Sequence, residues 1–103
     1  MNTLKVVDHT LRQRMTADMA SHNVPHDRRQ IYLNGVIAFT RFLGRSPGTA
    51  TVEDVRGFCL HLAAIGEIAV ERRPMADGLR FFFKITIDRE DLAARMAKSV
   101  FLS

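Results

Sequence analysis

The chain is 103 residues long, 47% hydrophobic and 25% charged, with a formal charge of +4 and a pI near 10.0. That length fits one domain able to bury its own core, and a single cysteine, Cys59, excludes an intrachain disulfide framework. No run approaches a membrane span and no apolar leader stands out, so the expected compartment is the cytoplasm, and the positive excess favours an anionic partner, duplex nucleic acid ahead of a membrane surface.

From Thr3 to Ser21 the residues Leu4, Val7, Leu11, Met15 and Met19 recur at steps of three or four without an intervening glycine or proline, which predicts a first amphipathic helix. Pro25 biases Val24 away from the helical region, and Asp27 is placed to cap the next helix. This second helix is expected from Arg28 to Leu43. Its apolar face is Tyr32, Gly35, Val36, Phe39, Phe42 and Leu43, and its outer face is Gln30, Asn34, Ile37 and Arg41. Gly35 costs a helix roughly 1 kcal/mol relative to alanine, which suits a close approach by another helix. Gly44 is the expected left-handed stop, and Pro47 bars continuation.

Thr51 and Asp54 form a variant capping box, with Glu53 favoured by the helix dipole, that opens a third helix burying Val55, Phe58, Cys59, Leu62 and Ile65 and stopping near Gly66. The fourth helix is expected from Arg72 to Thr86. It places Met75, Leu79, Phe82, Phe83 and Thr86 inside and Arg73, Asp77, Arg80 and Lys84 outside, with Pro74 tolerable only in the first turn. Phe81 and Ile85 fall on neither side, so a further helix or a partner must cover them. Asp88 to Asp91 reads as a cap for a short last helix carrying Leu92, Ala93 and Met96. Phe81 to Ile87 is the nearest thing to a strand, but a lone strand has nothing to pair with. The expected fold is therefore all-α, a four-helix bundle with a short fifth C-terminal helix, in one domain over residues 1–103.

Neither of the two constellations that suggest other chemistry satisfies its geometry. His22 and His26 have zinc spacing only if a helix joins them, and Pro25 intervenes. Cys59 and His61, two apart, lie on different sides of a helix, so Cys59 reads as a small buried apolar residue. No carboxylate pair or nucleophile–base spacing supports a hydrolase or nuclease, and no cofactor is expected.

Three phrases carry a resemblance: Tyr32 followed by FTRFLGRSP from Phe39 to Pro47; TVEDVR from Thr51 with LHL from Leu60; and LRFFFK from Leu79. Their order and spacing resemble the SAM-like N-terminal core-binding domain of tyrosine recombinases, the phage and transposon integrase family, from about Leu11 to Asp91. The resemblance implies one jaw of a clamp that lays helices against the major groove of duplex DNA, with the catalytic tyrosine and its Arg, Lys and His cluster in a separate domain. Tyr32 then matches the family's structural tyrosine in the second helix and is no nucleophile. The Ser-Pro-x-Thr phrase that usually opens the family's second and fourth helices is absent here. An arginine pair stands at each place instead, Arg28 with Arg29 and Arg72 with Arg73. With Arg80 and Lys84 these are the expected phosphate contacts, converging on one concave surface; Asn34 and Gln30 have the amides needed to pair with adenine, ordinary solvent exposure being the simpler reading of both. A rival expectation is a protein-interaction module that docks other recombinase subunits through Phe81, Ile85 and the C-terminal helix.

Overall fold

The computed structural model describes residues 9–65 and 69–101, with side chains at 9–65 and 73–96. The elements are α1 (His9–Ser21), α2 (His26–Leu43), a 3-10 turn (Pro47–Thr49), α3 (Val52–Ala64), α4 (Ala69–Phe81) running into a π-helical turn (Phe82–Thr86), and α5 (Glu90–Phe101). The fold is all-α, and the described residues include no strand; Phe81 to Thr86 is helical and Ile87 a bend, as the lack of a pairing edge requires.

In α1, Leu11, Met15 and Met19 are buried as expected, whereas Leu4 and Val7 lie outside the described residues. The helix ends on Asn23 in the left-handed region (φ 56°), with the Val24 amide donating to Met19 O (2.9 Å) and the Asn23 amide to Ala20 O (3.2 Å). That double bond, with Val24 and Met19 both buried, is the Schellman arrangement, and asparagine tolerates the conformation it requires. The next helix opens at His26, two residues earlier than expected, so its cap position is 25 rather than 27. Pro25 occupies that position at φ −54° without a side-chain cap bond, and Asp27 sits in the first turn, where the helix dipole favours its carboxylate.

The buried stripe of α2 comprises Leu33, Gly35, Val36, Phe39 and Thr40. It is rotated from the expected face: Phe42 is 41% exposed, and Thr40 is buried because its hydroxyl donates to Val36 O (2.8 Å). Gly44 stops the helix at φ 74°, its amide donating to Thr40 O. Thr51 and Asp54 complete the capping box in both directions, amide 54 to the Thr51 hydroxyl (3.2 Å) and amide 51 to Asp54 Oδ2 (2.9 Å). Val55 and Phe58 are buried, and Cys59 and Leu62 pack half-buried on the core. Ile65, expected inside, is 60% exposed, because it is the residue on which α3 ends and has left the helical face.

Helix α4 already runs at Ala69, so Arg72, Arg73 and Pro74 are not its first residues. Pro74 lies beyond the first turn and removes the bond an amide there would give Val70 O. The inward set is as expected, with Leu79, Phe82, Phe83 and Thr86 buried and Met75 half-buried. The helix then widens: the Ile87 amide donates to Phe82 O (3.1 Å), five residues back. Asp88 reverses the chain at φ 54° rather than capping, and Arg89 precedes α5, its carbonyl accepting from the Leu92 and Ala93 amides (both 3.2 Å). The last helix is longer than the short piece expected, at 12 residues, because Leu92, Ala93 and Met96 give it a buried face against α3 and α4. Phe39 lies at the centre of the core, meeting Phe58 and Phe83 edge-on at ring separations of 5.2 and 5.5 Å.

Candidate nucleic-acid interface

Two glycines determine how α2 and α4 face one another. A β-carbon on Gly35 would stand 2.5 Å from Met75 O, and one on Gly78 would overlap Tyr32, 2.7 Å from its Cβ and 2.8 Å from its carbonyl oxygen. The pairings 35 with 75 and 32 with 78 run in opposite senses, so the helices are antiparallel and nearly in backbone contact. The close approach expected at Gly35 is present. Its counterpart at Gly78 has no signal in the sequence around it.

This pairing sorts the expected site residues. Arg28 and Arg29 stand one turn before Tyr32, at the level of the α4 end that carries Arg80 and Lys84. Arg80 and Lys84 line an open groove with Tyr32, Phe81 and Ile85, and Val24 closes the near wall. Arg29 is half-buried and donates from Nε to Val24 O (3.0 Å), which braces the turn; Arg28 and Lys84 are exposed. These four cations therefore gather around the α1–α2 turn. Arg73 is exposed at the level of Ile37, about 12 Å farther along α2 by helical rise, and Arg72 shares that level of the backbone, its side chain lying outside those described. The two arginine pairs stand at two levels of the backbone, or stations, along one helix pair. At 72 and 73 the argument from free helix-start amides lapses, because helix precedes them.

Acids temper one station. Asp77 lies 3.5 Å from Arg80, and Glu90 stands on the groove wall. Phe81 is half-buried between the rings of His22 (5.6 Å) and Tyr32 (6.1 Å), so the α1–α2 turn and α2 cover much of the flank whose partner was open in the sequence. Ile85 is half-buried in the groove. His22 is held there by Nδ1 at 3.0 Å from Asp18 O, across a turn from His26.

The outer face of α2 has a different character. Gln30 and Asn34 are both exposed, and the Gln30 amide donates to Asn34 Oδ1 (2.9 Å). Ile31 beside them is 38% exposed, and Arg41 continues the face. Between Asp27 and Glu53 the sequence has no carboxylate. That gap is visible in the sequence and could have identified Ile31, which periodicity did not single out.

Elsewhere several acids are internally committed. Asp54 ion-pairs with Arg45, which also donates to the Thr51-side turn at Thr49 Oγ1 (3.1 Å). Partial burial pushes the Asp54 carboxyl up, but the bonds from Thr51 and the Arg45 charge outweigh it and hold the group below the usual carboxylate range. Asp91 is lowered by the paired bonds from Arg89 (3.0 and 3.1 Å), which in turn raise the Arg89 guanidinium. Arg14 and Asp18 of α1 reach the π-turn, Arg14 donating to Thr86 O (2.6 Å) and Asp18 Oδ2 accepting from the Thr86 hydroxyl (2.9 Å). No helix among the described residues is long and apolar enough to cross a membrane.

Residues 11–91 match the family model for the N-terminal SAM-like domain of phage integrase. Over 95 residues the chain is 34% identical to "Putative integrase/recombinase y4qK" of Sinorhizobium fredii (strain NBRC 101917 / NGR234), covering 91% of this chain and 31% of that protein. No solved structure matches the chain significantly. The all-helical architecture, the matched span and the shared identity agree, and the chain belongs to the phage integrase N-terminal SAM-like domain family.

Proposed function

We propose that residues 1–103 act as one DNA-gripping unit of a tyrosine recombinase in the cytoplasm, holding duplex DNA at the recombination site while the cutting and joining chemistry resides in a separate catalytic domain. The observation that carries this reading is the antiparallel α2–α4 pair with its two cationic stations, Arg28, Arg29, Arg80 and Lys84 at one end and Arg72 and Arg73 farther along. Their spacing of about 12 Å along the pair would span roughly three to four phosphate steps of one strand, which recur every ~3.4 Å of duplex axis. Arginine forks and the Lys84 ammonium supply charge for phosphate oxygens, and Asn34 adds an amide on the neighbouring outward face. Other recombinase subunits are the natural protein partners, and the groove beside Phe81 and Ile85 together with α5 offers the surface on which they would pack.

Titration against duplex DNA over a range of salt concentrations tests the reading. If about five phosphates are engaged, the log–log slope against salt is roughly −4.5, and the chain alone binds non-specific duplex in the range of ~10⁻⁴ to 10⁻⁶ M. Absence of saturable, salt-sensitive binding at low salt would sink it.

A further inference from the structure

Three features of α2 are unexplained by folding. Its outer face has two amide side chains at i and i+4 that are hydrogen-bonded to each other although both are exposed. Beside them is Ile31, one of only four large hydrophobic residues exposed among the described residues, on a helix whose core stripe is already complete. The whole stretch from Arg28 to Val52 lacks a carboxylate, whereas α4 has Asp77 and α5 has Glu90 and Asp91 on their outward sides. From Arg28 onward α2 thus presents a long outward surface with no acid of its own, Asp27 standing in the first turn before it.

We propose that Gln30, Ile31 and Asn34 are the base-reading element of this domain and select an adenine–thymine pair through the major groove. This rests on the DNA-gripping role given above and adds to it which helix reads sequence and what it reads. The major groove admits an α-helix, and adenine there presents an acceptor at N7 and a donor at N6, the complement of a carboxamide. Asn34 Oδ1 has a second lone pair beyond the one Gln30 occupies, and its Nδ2 has both hydrogens to give, so a two-bond contact with adenine remains available. Gln30 is the positioning residue: its bond holds the Asn34 amide in one orientation before DNA arrives, so less side-chain freedom is lost on contact. Ile31 lies three residues from Asn34 on the same outward quarter, within about 6 Å at the β-carbons, close enough to meet a thymine C5-methyl in the same or adjoining pair. The arginines at the two stations then set position and affinity without reading sequence.

The test is selection of bound duplexes from a random-sequence pool by the full chain, repeated with Asn34→Ala, Gln30→Ala and Ile31→Ala. All three substitutions are at exposed positions, and an unchanged helical circular dichroism signal confirms folding. The expected wild-type motif contains an A·T pair. Asn34→Ala lowers the preference for it by about tenfold with the salt slope unchanged, and Gln30→Ala lowers it by less. Replacing that adenine by 7-deazaadenine reproduces the Asn34→Ala loss in the wild-type chain and adds nothing in the variant. Replacing the thymine by uracil weakens wild-type binding but not that of Ile31→Ala. Duplex binding that enriches no A·T pair, or an Asn34→Ala chain that enriches the same pair as strongly, overturns this inference alone. Absence of binding to any duplex overturns it together with the DNA-gripping role.

Discussion

Gly78 of α4 lies against the backbone of Tyr32 in α2, so closely that a β-carbon there would stand 2.7 Å from the Tyr32 β-carbon and 2.8 Å from its carbonyl oxygen. Backbone on both sides leaves no flexible group to yield. Gly78→Ala gains up to about 1 kcal/mol of helix propensity but forces the helix pair apart, and overpacking typically costs about 1–3 kcal/mol or more. The expected outcome is a net loss of about 2 kcal/mol, read as a lower urea midpoint. A variant as stable as the parent would show that the pair has slack.

The Thr86 hydroxyl is buried and satisfied by Asp18, sixty-eight positions away in sequence. Asp18→Ala leaves that hydroxyl without its acceptor, at a cost of about 1–3 kcal/mol. Thr86→Val removes the demand while keeping the shape, so Asp18→Ala combined with Thr86→Val is expected to be more stable than Asp18→Ala alone. Strict additivity in a double-mutant cycle would mean that the two side chains contribute independently.

At the start of α3, Thr51→Ala is expected to cost about 1 kcal/mol of unfolding free energy. The Asp54 carboxyl is depressed in the folded chain, so its contribution is fully present above its unfolded value, near pH 4, and is lost as pH falls through the still lower folded value. Parent and Asp54→Asn chains should therefore differ in stability at neutral pH and converge in strong acid. Chemical denaturation at several pH values checks this; a gap that widens in acid would contradict it.

Charge reversal separates the two partner classes. Arg72→Glu, Arg73→Glu and Arg80→Glu in one chain are expected to abolish duplex binding while sedimentation shows the oligomeric state unchanged. Neutralising Arg28 alone should reduce the magnitude of the salt slope by about 0.9 if it meets one phosphate. Retained DNA binding with altered self-association would favour the groove beside Phe81 and Ile85 as a protein-docking surface.

Much of this molecule is legible in short-range chemistry. Thr51 and Asp54 make their box within one turn, Gly44 needs only its own backbone freedom, and Leu11, Met15 and Met19 keep a helical period whatever packs on them. What is hidden depends on distant residues. Nothing near Gly78 announces Tyr32, and nothing near Thr86 announces Arg14 or Asp18. Helix starts are displaced for the same reason: Pro25 and Pro74 read locally as punctuation, yet α2 begins immediately after the first and α4 runs through the second. The basic residues of the candidate interface are identifiable by type, but their division into two stations comes from the antiparallel contact of α2 with α4, which no local pattern encodes.

Helix α1 rests chiefly on the π-turn and only lightly on α2, its neighbour along the chain. A ribosome releasing this polypeptide would therefore deliver α1 long before the surface it docks on exists. Until residue 86 has emerged, Arg14 and Asp18 have no target, and Met15 and Met19 wait in water beside a half-built bundle. Docking of α1 thus joins the first described helix to a corner near the far end of the fold, and it depends on residues 82–86 being in place.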